Sequence, residues 1–102
     1  NTIVVVALIT PFEEAREFIR SNCNNLLLTY IKAPLAVCEQ RDVKGLYKRA
    51  RSGEIKKFTG ISSPFEIPEE SELVLKTAEH SIEELIGTIL EFILPKIIIV
   101  SE

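Results

Sequence analysis

The stretch that decides the fold is IVVVALITPFEE, residues 3–14. Its first seven residues are all apolar and do not alternate with polar ones, which is typical of a strand buried in a helix-covered parallel sheet. Thr10 then offers a hydroxyl for a helix N-cap, Pro11 suits the first helical position, and a glutamate two residues later completes a capping box. The stretch therefore predicts a buried strand over residues 3–9 and a helix over residues 11–20. A central strand so close to Asn1, with no initiator methionine, leads us to expect further sequence upstream.

The next segment continues the alternation of strand and helix. LLLTYI at residues 26–31 is typical of a second buried strand, which completes a β-α-β unit. Pro34 then opens a predicted helix over residues 35–41. Residues 46–51 are also helix-forming, and Gly53 supplies a stop. The chain should therefore belong to the α/β class with a mostly parallel sheet.

The last third of the chain begins with a loop and ends with a helix. Residues 59–68 are rich in Gly, Ser and Pro, and residues 72–76 form a short third strand in this interpretation. A second capping box starts an amphipathic helix at Ser81, which Pro95 should end at about residue 94. The apolar tail at residues 97–100 is either a fourth strand or a segment that needs a partner.

Size and composition narrow the class of protein. With 102 residues the chain should form one domain. Its content of 46% hydrophobic and 26% charged residues is that of a globular protein, and no apolar run reaches the ~18 residues of a bilayer span. Nothing resembles a secretion signal. We therefore expect a cytoplasmic protein with no membrane partner.

The basic residues cluster in one segment, although the net charge of the chain is -3. Residues 41–57 carry seven basic and two acidic side chains. Glycines and prolines follow, so the segment could move as a unit over a polyanion such as a phosphate chain. The alternative is an ordinary solvated helix face. Only Tyr47 interleaves with the charges, so we do not expect a nucleic-acid partner.

The same segment resembles a known family. CEQRDVKGLYKRARSGEIKKFTGI, residues 38–61, resembles the lid and substrate-binding stretch of adenylylsulfate kinases. The resemblance continues to residue 77, and ALITPF at residues 7–12 is similar to the family's strand that ends in a Ser-Pro-aromatic turn. It implies a P-loop NTPase-like three-layer fold, of which residues 1–102 are a single C-terminal part. The lid would span about residues 41–68, and the closing strand and helix residues 72–94.

The resemblance also implies an activity. In this family ATP gives its γ-phosphate to the ribose 3′-hydroxyl of adenosine 5′-phosphosulfate (APS), forming PAPS for sulfate assimilation. ATP and APS would be the ligands, with Mg²⁺ accompanying ATP. A homodimer and a fusion or association with ATP sulfurylase are further partners that the resemblance leaves open.

Seven residues match positions that hold the two substrates in the family. The positions for APS are Ile9, Thr10, Lys44, Lys57 and Phe58, and those for ATP are Arg41 and His80. Phe58 would stack on the adenine of APS, Lys44 would contact its phosphosulfate, and Arg41 would lay its guanidinium plane on the adenine of ATP. Taken without the family, Phe58 is a core aromatic, Lys44 a surface lysine and His80 an incidental exposed residue.

Two departures from the family concern catalysis. No G-x-x-x-x-G-K-[ST] motif and no Asp-Gly-Asp stretch occur among the 102 residues, so we assign no catalytic residue and no Mg²⁺ ligand to this chain. Ser62 also stands where an aspartate is common. We predict that the chain alone does not form PAPS. The alternative function is a non-catalytic protein, derived from the kinase, that binds nucleotides or anions or that dimerises.

Overall fold

The computed structural model describes residues 2–97. The elements of this range, in chain order, are α1 (Glu13–Asn22), β1 (Thr29–Lys32), α2 (Leu35–Arg41), α3 (Leu46–Arg51), β2 (Leu73–Lys76) and α4 (Ile82–Ile97). Both α2 and α3 have the bounds predicted from the sequence. The strands at residues 26–31 and 72–76 are confirmed in place, although β1 begins three residues later than predicted.

The strands β1 and β2 pair in parallel, so the α/β class is confirmed. Their register runs from Thr29 opposite Leu73 to Lys32 opposite Lys76. The Leu28 N–H extends the pairing by donating to the Glu72 carboxylate over 2.7 Å. Parallel strands need a long crossover connection, which here contains α2 and α3.

The described residues divide into two compact units. The first unit comprises residues 2–26 and 45–69 and contains α1 and α3. Its buried side chains are Ala50 and Arg16. The second unit comprises residues 27–44 and 70–97, contains the β1–β2 pair with α2 and α4, and buries Leu75. The single-domain organisation with a lid at residues 41–68 stays a prediction.

The predicted strand at residues 3–9 is wrong. These residues form no strand, and their large side chains are exposed, with Val5 at 90%. An apolar run becomes a strand only when a neighbouring strand supplies its ladder of hydrogen bonds. Within residues 2–97 the only strand pair is β1 with β2. The run is as apolar as a buried strand, but the partner strand that its burial would need is not among the described residues.

The start of α1 also differs from the prediction. Phe12, not Thr10, occupies the N-cap position, and it makes no side-chain cap. Thr10 instead has a φ of 37°, and its carbonyl oxygen accepts a hydrogen bond from Arg16. The N–H of Glu13 donates to the Glu66 carboxylate over 3.1 Å. A distant glutamate thus satisfies one of the free N–H groups at the helix start that the local capping box was expected to satisfy.

The helix α4 begins as predicted and ends later. Ser81 and Glu84 form the capping box reciprocally, each backbone N–H donating to the other's side chain over 3.1 and 3.2 Å. Pro95 does not end the helix, which continues to Ile97, although the missing N–H of Pro95 leaves one helical hydrogen bond unmade. The predicted tail lies outside the described residues beyond Ile97. At 16 residues α4 is the longest described helix, and none in the described range is long and apolar enough to cross a membrane.

We expect Ser81→Ala to lower the free energy of unfolding of the chain by about 1 kcal/mol, because it removes the N-cap acceptor of α4. Urea denaturation followed by circular dichroism measures this change. Ser21→Ala, at an exposed position inside α1, is the matched control and should cost nothing. An equal loss in both variants would contradict the capping role.

Candidate functional site

In the first unit, a tight turn fixes the backbone of Phe58. The Phe58 N–H donates to the Ser62 hydroxyl over 2.7 Å, and the Phe58 carbonyl accepts from the N–H groups of Ser62 and Ser63, each over 2.9 Å. Gly60 completes the turn with a φ of 89°, which glycine adopts without steric cost. Ser62, which departs from the residue common in the family, thus closes the turn at Phe58.

The side chains beside this turn have different environments. The Phe58 ring is half-buried and meets the Tyr47 ring edge-on, with ring centres 5.0 Å apart and planes at 74°. Lys57 is exposed and has a φ of 55°. A half-buried ring on a fixed backbone suits stacking on a nucleotide base, because little conformational freedom is lost on binding.

Arg16, on α1 of the same unit, is 3% exposed and is surrounded by partners. Its Nε donates to the Thr10 carbonyl over 2.9 Å, and its Nη1 pairs with the Glu13 carboxylate. The guanidinium carbon lies 5.2 Å from the centre of the Phe65 ring. Ile9, by contrast, is 68% exposed. Since residues 3–9 form no strand, Ile9 and Thr10 do not mark a strand end as the sequence predicted.

A second set of hydrogen bonds joins the loop after the Phe58 turn to the start of α1. The Glu66 N–H donates to the Pro11 carbonyl over 2.7 Å, and the Glu69 N–H donates to the Glu13 carboxylate over 3.3 Å. The hydrogen bond from Arg16, followed by that from the Glu69 backbone, holds the pKa of the Glu13 carboxyl below its ordinary value.

The lowered pKa of Glu13 predicts a pH dependence of stability. A carboxyl whose pKa is lower in the folded state stabilises the fold above its ordinary pKa, and this contribution is lost as the pH falls through the lowered value. We expect the melting temperature of the chain to fall with acidification below about pH 4 and Glu13→Gln to flatten that fall. Thermal melts between about pH 7 and pH 2 measure it. Glu17→Gln, at an exposed position of α1, should leave the fall of the melting temperature with acidification unchanged. The same unchanged fall in Glu13→Gln would contradict the role given to Glu13.

In the second unit, Arg41 is held at the end of β2. Its Nη1 donates to the Thr77 hydroxyl over 3.0 Å and its Nη2 to the Thr77 carbonyl over 2.9 Å. The Thr77 N–H donates to the Lys32 carbonyl over 3.0 Å, which ties this anchor to β1. Because guanidinium donors lie in the plane of the group, this anchoring uses the edge and leaves the flat faces for stacking.

His80 follows Thr77 by three residues. Its Nδ1 lies 3.5 Å from a carboxylate oxygen of Glu84, and its side chain is 48% exposed. It borders a shallow hollow with Val74, Lys76, Glu79, Leu85 and Thr88. The structure therefore places Arg41 and His80 near the carboxyl end of β2, the edge at which open parallel sheets bind ligands. Lys44, three residues beyond α2, is exposed.

No three His, Cys, Asp or Glu side chains gather into a metal-binding group within residues 2–97. Magnesium in nucleotide enzymes is held by carboxylates, hydroxyls and phosphates in octahedral geometry. We assign no Mg²⁺ ligand to the described residues.

The architecture matches a solved nucleotide enzyme. The structure of the Mycobacterium tuberculosis APS kinase CysC in complex with AMPPNP and APS superposes with a TM-score of 0.75 and 35% sequence identity. The match covers 85% of this chain and 52% of that one. Together with the parallel β1–β2 pair, it defines an α/β protein of the P-loop NTPase fold class.

The chain belongs to the adenylylsulfate kinase family, because the family model for adenylylsulphate kinase matches residues 1–76. It is 49% identical over 91 residues to the adenylyl-sulfate kinase of Synechococcus sp. (strain JA-3-3Ab), covering 89% of this chain and 52% of that protein. It is 48% identical over 99 residues to the probable adenylyl-sulfate kinase of Bacillus subtilis (strain 168), covering 95% and 50%. The chain thus spans about half the length of these relatives.

Three residues that support the candidate site were not identified from the sequence. They are Arg16, Ser62 and Thr77. Each is hydrogen-bonded to a residue that the resemblance assigns to a substrate. Arg16 bonds to Thr10, Ser62 to Phe58, and Thr77 to Arg41. No local pattern in the sequence marks Arg16 as buried.

Proposed function

We propose that this chain supplies the lid and substrate-binding part of an adenylylsulfate kinase. In the reaction the ribose 3′-oxygen of APS attacks the γ-phosphorus of ATP, the bond from that phosphorus to the β,γ-bridging oxygen breaks, and the hydroxyl proton is lost. The products are PAPS and ADP. The observation that carries this proposal is the similarity to a kinase solved in complex with AMPPNP and APS.

Five residues bind APS in this proposal. Phe58 stacks on the adenine, and Lys57 lines the same pocket. The backbones of Ile9 and Thr10 contact the nucleotide, and Lys44 pairs with the phosphosulfate. The fixed turn at Phe58 supports the stacking role, because a base that stacks on an already positioned ring loses less binding energy to ordering.

Two residues bind ATP. Arg41 lies with its plane on the adenine, a role supported by its double hydrogen bond to Thr77, and His80 borders the same base. Phosphoryl transfer depends mainly on positioning and on neutralising charge, so the basic segment at residues 41–57 suits a lid that covers the phosphates. Mg²⁺ bound with ATP would neutralise phosphate charge, with ligands from outside the described residues. We place the reaction in the cytoplasm.

A chimeric kinase tests this function. The 91 aligned residues of the Synechococcus enzyme are replaced by those of this chain, and PAPS formation from ATP and APS is followed by mass spectrometry. We expect PAPS to form with kcat/KM within about tenfold of that of the Synechococcus enzyme. The unsubstituted enzyme and thermal melts of both proteins serve as controls.

Two outcomes would decide against the proposal. A folded chimera that binds APS without making PAPS would favour the non-catalytic alternative. A folded chimera that binds neither nucleotide would also contradict a nucleotide-binding role and leave only the anion-binding or dimerising alternative.

A further inference from the structure

Arg16 is the buried charged group of the first unit, and the proposed reaction assigns it no role. A guanidinium at 3% exposure is costly to desolvate, so it is tolerated only with partners that compensate its charge and its donors. Those partners are the Thr10 carbonyl, the Glu13 carboxylate and the face of Phe65. They come from three parts of the unit, namely the turn before α1, α1 itself and the loop after the Phe58 turn.

The first partner holds an unfavourable backbone. Thr10 is β-branched and has a φ of 37°, which side chains of this kind rarely adopt. Such conformations persist only where the surroundings impose them. The charge-assisted hydrogen bond from the Arg16 Nε to the Thr10 carbonyl, 2.9 Å long, is directed at that residue.

The other partners hold the loop. The Glu13 carboxylate bound by Arg16 also accepts the Glu69 N–H, while the Glu66 carboxylate accepts the Glu13 N–H. Phe65, on which the guanidinium lies, comes two residues after the turn that ends at Ser63. Arg16 therefore contacts both the turn at Thr10 and the segment that follows the Phe58 turn, and it stabilises their positions.

We propose that Arg16 is a positioning residue for APS, setting the Thr10 backbone and the base of the Phe58 loop in the geometry that the nucleotide requires. This inference rests on the proposed function. It differs from a purely stabilising role because it predicts an effect confined to one of the two substrates.

Arg16→Lys in the chimera tests the inference. Lysine keeps the charge but lacks the planar group that donates to Thr10, pairs with Glu13 and lies on the Phe65 ring at the same time. We expect the KM for APS to rise by about tenfold, the scale of one hydrogen bond to a charged group, while kcat and the KM for ATP stay within about twofold. Arg20→Lys, one turn further along α1, is the matched control and should leave all three unchanged. A rise in both KM values, or in neither, would overturn the positioning role.

Two further measurements keep the test decisive. If Arg16→Lys does not fold in the chimera, Phe65→Leu removes the ring beneath the guanidinium and should also raise the KM for APS alone. In the 102-residue chain, Arg16→Lys should speed amide hydrogen exchange at Glu66 and Glu69, and unchanged exchange would overturn the inference. An inactive chimera of native-like stability would count against the proposed function, and titration with APS and with AMPPNP would then decide whether Arg16→Lys weakens APS binding alone.

Discussion

Phe58→Ala in the chimeric kinase is expected to weaken APS binding by roughly 1–3 kcal/mol, the scale of one aromatic side chain stacked on a base. The Phe58 backbone is held by Ser62 and its ring contacts Tyr47, so little conformational freedom should be lost if a base stacks on the ring. Isothermal titration with APS measures the change directly, and steady-state kinetics should show a raised KM for APS with the KM for ATP unchanged.

Phe18→Ala is the matched control for Phe58, since Phe18 lies on α1 of the same unit and is 70% exposed. It should leave APS binding unaffected. Phe58→Tyr should retain most of the affinity, because the stacking ring is kept. An APS affinity in Phe58→Ala equal to that of the parent chimera would rule out stacking and leave Phe58 as an ordinary partner of Tyr47.

Arg41→Lys is expected to weaken ATP binding by about 1–2 kcal/mol, because lysine keeps the charge but lacks the planar group that stacks on adenine. The two hydrogen bonds to Thr77 hold that plane in the free protein, so the variant should also lose some thermal stability, and the loss of ATP affinity is measured under conditions where the variant is folded. Binding of AMPPNP by titration, together with the KM for ATP, provides the measurement.

Thr77→Val removes one of the two acceptors that hold Arg41, and a smaller loss of ATP affinity should result. Arg20→Lys again serves as the control for a charge-conserving change. If Arg41→Lys leaves the affinity for ATP unchanged while it lowers thermal stability, Arg41 serves only to link α2 with the end of β2.

The elements that sequence predicted well are those with local signals. Pro34 precedes the start of α2, Gly53 follows the end of α3, and the Ser81–Glu84 capping box starts α4. Each signal acts within a few residues of its element. The strand predicted over residues 3–9 was wrong because a strand depends on a partner strand elsewhere in the chain. An apolar run does not indicate whether such a partner is present. The predicted start of α1 was wrong for a related reason. The acceptor for the Glu13 N–H is the side chain of Glu66, which lies 53 residues away in the sequence.

The candidate site shows the same division. Phe58 and Arg41 were singled out by the resemblance, and the structure adds how each is held, by Ser62 and by Thr77. The Arg41–Thr77 pair spans 36 residues, so no local pattern could have predicted it. Burial of Arg16 could not be predicted, because an arginine on an amphipathic helix is ordinarily solvent-exposed, whereas here it is buried against Phe65.

The most direct test of the account is the identity of the product that the chimera makes. We predict that it converts APS and ATP into a nucleotide phosphorylated at the ribose 3′-hydroxyl, at a rate that falls when Phe58 is replaced by alanine at limiting APS. A folded chimera that binds both nucleotides but yields no 3′-phosphorylated product, alongside an active Synechococcus enzyme, would contradict the central claim.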